Sequence, residues 1–264
     1  MLKDITLGQF FPGDTPVHKL DPRTKLVCLI IFIVALFQAG SWWGYLAVTA
    51  VTAICMILAR ITPKRIFSGL KPMLFIIVLT ALLNMFYTEG RAVLPGWPIT
   101  VEGIERAVQM ILRIILLICS TFLLTYTTSP ISLTDGLELL LSPLKKIGLP
   151  VHEMTIMMSM ALRFIPTLIE ETDKIMSAQK ARGADFETGG IVKRAKALLP
   201  ILVPLFVSAF RRADELAVAM ESRCYHGGEG RTRMKQLKMQ PADWAAIILF
   251  TVFLAGMIIL KKLL

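Results

Sequence analysis

Residues 151–183 read VHEMTIMMSMALRFIPTLIEETDKIMSAQKARG, and residues 193–225 read KRAKALLPILVPLFVSAFRRADELAVAMESRCY. In the first stretch Val151, Met154, Met157, Met158, Ala161, Leu162, Ile165, Leu168 and Ile169 recur at helical spacing. His152, Glu153, Arg163, Glu170, Glu171, Asp173 and Lys174 supply the charge. In the second, 197–210 is apolar nearly all round. It is flanked by Lys193, Arg194 and Lys196 on one side and by Arg211, Arg212, Asp214 and Glu215 on the other. That run is short for a bilayer crossing, which takes about 20 residues. Two long helices, half in protein and half in the membrane interface, satisfy both patterns; a soluble helical hairpin is the alternative. Each, if straight, is on the order of 50 Å long. Pro166, Pro200 and Pro204 are expected to bend or break them, because proline lacks the N–H and its ring crowds the preceding turn. Glu187-Thr188-Gly189-Gly190 reads as the turn between them.

Outward from this region the chain turns apolar. Its 264 residues are 55% hydrophobic and 18% charged, with mean hydropathy +0.65, which is the composition of a polytopic membrane protein rather than of a globular enzyme. The net charge of +10 does not point to nucleic acid, because the basic residues stand beside apolar runs, where they report topology and contact with anionic headgroups. Cys28, Cys55, Cys119 and Cys224 have no paired metal spacing, and three of them lie in apolar runs, so neither a disulfide framework nor a zinc site is implied.

Apolar runs at 26–39, 42–59, 72–87, 104–126 and 244–260 predict about five membrane helices. Residues 1–25 are polar and basic, unlike a secretory signal, and are expected on the cytoplasmic side. Asp21-Pro22 suits either a helix N-cap with proline in the first turn or a surface turn. Gly40-Ser41 makes the first two spans an antiparallel pair, and Trp42, Trp43 and Tyr45 suit the outer interface. The loop at 88–100, poor in basic residues, is expected outside. A short amphipathic stretch covers 133–147. Five spans with a cytoplasmic 131–240 region place the C-terminus outside, an assignment that Lys261-Lys262 opposes weakly. The division is therefore 1–25, an N-terminal segment; 26–128, four membrane helices; 129–240, the interfacial region; and 241–264, a last membrane helix. Arg113 inside the fourth span is costly in hydrocarbon. Asn84, backbone carbonyls or the outer headgroups would satisfy it, and a transport-site role is the alternative.

Catalytic chemistry is hard to find. No Walker-type phosphate loop is present, His18, His152 and His226 are scattered without a ligand rhythm, and no serine sits in a strand-turn-helix setting. What stands out is a pair of helix ends, Ala181-Arg182-Gly183 and Ser222-Arg223-Cys224. Small neighbours admit close backbone approach, and arginine brings fixed donors that suit a groove lined with carbonyls or carboxylates. Arginine and glycine are also ordinary at helix C-termini, but two such tripeptides on paired helices suggest a partner with two similar grooves.

With the N-terminal His18-Lys19-Leu20-Asp21-Pro22-Arg23-Thr24-Lys25 and the segment Glu221-Ser222-Arg223-Cys224-Tyr225, these motifs resemble the transmembrane coupling subunit of energy-coupling factor transporters over essentially the whole chain. The resemblance implies an all-α polytopic membrane protein with long cytoplasmic or interfacial coupling helices. It implies no catalysis and no cofactor in this chain, ATP and Mg being bound by two ABC ATPase subunits. A third partner would be an exchangeable membrane subunit that captures a vitamin or metal ion, and the assembly would sit in the cell membrane. Arg182 and Arg223, with Ala181, Gly183, Ser222 and Cys224, would dock in the ATPase grooves. Cys224 stands where glycine is common in the family. Met154, Met157, Met158 and Met160 would offer the substrate subunit a plastic contact, although core packing explains the same methionines. A secondary transporter with its own site is the main rival, lacking support in the spans beyond Arg113 and Asn84; a lipid-acting membrane enzyme is a second rival without a catalytic cluster.

Overall fold

A computed structural model describes residues 10–91, 100–186, 190–227 and 237–263, and among these the regular elements are helices, with no strands. They are α1 (Pro16–Lys19), α2 (Pro22–Gln38), α3 (Trp42–Leu58), α4 (Pro63–Leu70), α5 (Leu74–Tyr87), α6 (Val101–Thr127), α7 (Pro130–Leu141), α8 (Val151–Ala181), α9 (Ile191–Glu221) and α10 (Pro241–Leu263). Short 3-10 turns at Lys71–Met73 and Ser142–Ile147 follow α4 and α7.

The chain divides into two compact units, one built from 8–137 and 237–264, the other from 1–7 and 138–236. The first holds the membrane helices. Pro63–Tyr87, Val101–Thr127 and Pro241–Leu263 are long and apolar enough to cross a bilayer. The other two expected spans form as helices of 17 residues each, α2 and α3, at the lower end of spanning length. The outer surfaces of α2, α3, α5 and α10 are largely apolar, with Ile30, Phe37, Leu46, Ile54, Phe75, Leu249 and Val252 exposed, as lipid contact requires. The third expected span begins earlier than 72: the helix starts at Pro63 and passes through the 3-10 turn at Lys71-Pro72-Met73, so Lys64, Arg65 and Lys71 belong to it.

Inside, Phe32, Ala35 and Leu36 of α2, Tyr45 and Val48 of α3, Leu116 of α6 and Met257 of α10 form the core. Tyr45, expected at the outer interface beside Trp42 and Trp43, is only 1% exposed. The reason is Arg113, whose guanidinium donates to the Tyr45 hydroxyl at 2.8 Å and to the Ala39 carbonyl at 3.3 Å, with the rings of Phe37 and Tyr45 flanking it. A phenol and a backbone carbonyl thus carry the charge that the apolar span cannot solvate. Asn84 plays no part; its amide donates to the Thr80 carbonyl.

The N-terminal end of α2 is a polar knot. Asp21 caps the helix, accepting from the Arg23 N–H at 2.9 Å with Pro22 in the first turn, which decides between the two readings of that dipeptide. Its own N–H donates at 2.8 Å to Asp243 near the start of α10, a side chain in a residue only 1% exposed. The second Asp243 oxygen accepts from the Gln240 N–H at 2.7 Å. Lys25 donates to the carbonyls of His18 and Thr127, and Arg23 to that of Leu237. At the opposite end Lys261 of α10 donates to Gln38 of α2 at 3.0 Å. Joined start to start and end to end, α2 and α10 run parallel. The terminal lysines therefore lie on the side where α2 ends, as an odd number of crossings requires.

In the second unit α8 and α9 are each 31 residues long, on the order of 45 Å. The prolines do not break them: α8 passes through Pro166 and α9 through Pro200 and Pro204 as continuous helices. The expected turn at 187–190 lies outside the described residues except for Gly190, which precedes α9. The amphipathic stretch expected at 133–147 forms as α7, starting earlier at Pro130, and the following 3-10 turn.

Candidate functional site

Helix ends leave backbone carbonyls without intrahelical donors, and a residue of positive φ just past the end lets the following amides turn back to them. Both arginine tripeptides are built on that device. At the end of α8, Gly183 has φ +87°; its N–H donates to the Lys180 carbonyl at 3.0 Å, and the Ala184 N–H donates to Gln179 at 2.9 Å. At the end of α9, Cys224 has φ +55°; its N–H donates to Glu221 at 2.8 Å, and the Tyr225 N–H donates to Met220 at 3.0 Å. The two bond patterns are the same residue for residue. In each, the arginine is the residue directly before the positive φ, so Arg182 and Arg223 occupy equivalent places.

Both arginines are exposed, as are Ala181, Gly183, Ser222 and Cys224. Among the described residues neither guanidinium has an ion pair or a side-chain hydrogen bond. A fixed backbone therefore presents a cation whose five donors are unused, at the end of the helix where the macrodipole already favours positive charge. Among the described residues no atom lies within 4 Å of a Cβ added at Gly183.

The two helices are tied to each other through Glu171. Its carboxylate accepts from the Ser208 hydroxyl and, at 3.1 Å, from the Arg212 guanidinium. The Ser208 hydrogen bond, aided by Arg212, holds the Glu171 carboxyl below the usual carboxylate range. Glu171 stands eleven residues before Arg182 and Arg212 eleven before Arg223, about 16 Å of helix in each case. The tie is thus equidistant from the two ends. Sequence reading misses this, since one glutamate among the four acidic residues of α8 carries no mark of its partner.

Of the methionines singled out in the sequence, Met154, Met157 and Met158 are 45%, 61% and 43% exposed, whereas Met160 is half-buried. His152 is turned to Glu138 at 3.1 Å, an internal pair of the same unit. His18 is bound by Thr15 and the Phe11 carbonyl. Among the described residues no group of three or more His, Cys, Asp or Glu side chains could hold a metal ion.

Cys224 carries a penalty that Gly183 does not. The left-handed conformation brings an L-residue's Cβ against the backbone at a cost of about 1–2 kcal/mol. Cys224→Gly is expected to firm the end of α9 by about 1 kcal/mol, slowing hydrogen exchange at the Cys224 and Tyr225 amides about fivefold. Unchanged exchange would mean that the end is held by something other than this cap.

A helical bundle sheathed in apolar side chains, together with two long amphipathic helices ending in matched exposed cations, is the build of a membrane protein. The comparisons agree. The cobalt transport protein family, CbiQ, matches residues 13–234. The energy-coupling factor transporter transmembrane protein EcfT of Ruminiclostridium cellulolyticum is 51% identical over 264 residues, covering 99% of this chain and 98% of its own. That of Thermosediminibacter oceani is 56% identical over 250 residues, 94% of each chain, and that of Lactococcus lactis subsp. cremoris 46% over 259 residues, 96% and 97%. The chain belongs to this family of energy-coupling factor transporter transmembrane proteins and is a component of such a multi-subunit transporter.

Proposed function

We propose that the chain is the coupling scaffold of an energy-coupling factor importer in the plasma membrane. Two ABC ATPases, which bind ATP and Mg, take Arg182 and Arg223 into equivalent grooves. A substrate-binding membrane subunit, carrying a vitamin or a metal ion, rests against α8 and α9. ATP-driven closure of the ATPase pair moves the two helix ends together, and the Glu171 tie converts that motion into displacement of the substrate subunit. The observation that carries this reading is the equivalence of the two ends: the same cap, the same arginine position and the same distance back to Glu171. A lever loaded at both ends works evenly only if its arms match. The exposed Met154, Met157 and Met158, with half-buried Met160, supply the pliable contact, since unbranched thioethers repack without strain.

Purification in mild detergent tests the assembly. Two different or identical ATPase chains should accompany the protein, and the chain alone in liposomes should transport nothing. Uptake by the chain alone would favour a secondary transporter. Orientation is tested by single cysteines in a cysteine-free background, labelled from outside intact cells. With the N-terminus and the 131–240 region cytoplasmic, Glu89→Cys should label and Ser177→Cys should not, and the reverse result overturns the orientation.

A further inference from the structure

We propose that the cleft between the end of α3 and the start of α4 binds the phosphate-bearing headgroup of an anionic glycerophospholipid. The cleft has a volume of about 320 Å³, and Phe11, His18, Arg60, Ile61, Arg65 and Tyr126 are among its walls. It lies wholly within the membrane unit, where the N-terminal segment is held against α6 by the Phe11 N–H donating to the Tyr126 carbonyl at 3.1 Å.

Arg60 is the first sign. It ends α3 with φ +53°, its N–H donating to Ile57 at 3.0 Å and the Ile61 N–H to Met56 at 3.2 Å. This is the cap that Gly183 forms on α8, occupied here by a long cationic residue against its steric preference. Residues kept in such a conformation cluster where a ligand is clamped. Arg65 is the second sign. Its guanidinium carbon sits 3.9 Å from the centroid of the Phe11 ring, and a guanidinium stacked on a ring keeps its in-plane donors available at the edge. Among the described residues neither arginine has an ion pair or a side-chain hydrogen bond. Asp14, exposed on the same wall, offsets only part of the charge. His18 adds none at neutral pH, since burial pushes it below its ordinary value, and its ring instead fixes the wall through Thr15 and the Phe11 carbonyl.

The surroundings favour a lipid over a free anion. Ile57 at 74%, Leu58 at 49% and Phe67 at 73% exposure flank the cleft in sequence, giving acyl chains an apolar surface beside the cations. In α4 Lys64 and Arg65 are followed by Ile66, Phe67 and Leu70, the mixture of an interfacial helix. Two arginines match a phosphate through paired N–H donors, and basic pockets at the membrane boundary take anionic headgroups.

The test uses full-length protein in detergent with added phosphatidylglycerol or phosphatidylcholine, followed by thermal unfolding and native mass spectrometry of retained lipid. Phosphatidylglycerol should be retained and should raise the unfolding midpoint above that in phosphatidylcholine. Arg60→Gly with Arg65→Gln should abolish both effects without lowering the midpoint in phosphatidylcholine, because glycine suits the backbone at 60. Lys145→Gln with Lys146→Gln, exposed lysines outside the cleft, should leave both effects intact. If the double variant unfolds early, Arg60→Gly alone is read, and full retention of phosphatidylglycerol by it overturns the proposal. Equal loss in the lysine pair, or an equal shift from inorganic phosphate alone, also overturns it, the first in favour of general charge and the second of a free anion.

Discussion

Asp243→Ala is expected to loosen α10 from the membrane unit, lowering stability by about 3–5 kcal/mol, the range for removing one partner from a buried charged network. The carboxylate accepts the Asp21 N–H at 2.8 Å and the Gln240 N–H at 2.7 Å in a residue that is 1% exposed. Its loss orphans both donors and takes away one of the two acidic groups, with Asp21, that balance the buried Lys25. Asp243→Asn keeps one acceptor oxygen and should fall between wild type and alanine. Thermal unfolding in one detergent gives the order, and limited proteolysis after residue 237 should rise in the same order. Wild-type stability in Asp243→Ala would show that apolar contact between α2 and α10 holds the helix without the knot.

That knot explains the polar N-terminal motif, which sequence reading could identify but not interpret. Asp21 and Arg23 pair with each other and Lys25 reaches His18, but their remaining partners are Leu237, Asp243 and the Thr127 carbonyl, more than a hundred residues away. Periodicity sees neighbours within one element and is blind to such pairings. The spans were legible for the opposite reason, because every residue of a lipid-facing helix repeats the same apolar preference. Their ends were less so. Pro63 starts a helix whose apolar run begins only at 72, since Lys64 and Arg65 fit an interfacial first turn as well as a loop. Prolines at 166, 200 and 204 are expected to bend or break the helices, and of the two a break is excluded, since both helices continue through them. Arg113 was legible as an anomaly. A backbone carbonyl was among the partners expected for it, and that of Ala39 is one; the Tyr45 hydroxyl was not legible, because a tyrosine near an interface gives no sign that it serves a buried cation.

The arginine tripeptides were visible as tripeptides, while their common cap was not, since Cys224 conceals the positive φ that glycine advertises in Gly183. The cap sharpens the expectation for Arg182→Ala and Arg223→Ala. Each removes a cation without disturbing the backbone that presents it, because the capping bonds use only main-chain atoms. If the guanidinium completes its hydrogen bonds in an ATPase groove, truncation leaves the partner's acceptors unpaired at a cost of about 2–5 kcal/mol. Lysine should restore little, lacking the planar fork. Since the two ends stand at equal distance from Glu171, the two single variants should be impaired alike in transport, and the double variant should be worse in ATPase association.

The most direct measurement is the amount of ATPase retained by Arg182→Ala, Arg223→Ala and Arg231→Ala under one ionic strength. Arg231 lies outside the described residues, in a glycine-rich polar segment, and serves as the control for general basic charge, which acts through screened attraction. Docking by the capped ends predicts large and similar losses for the first two and retention near wild type for the third. Loss with Arg231→Ala as great as with Arg223→Ala would contradict it and leave general basic charge as the explanation.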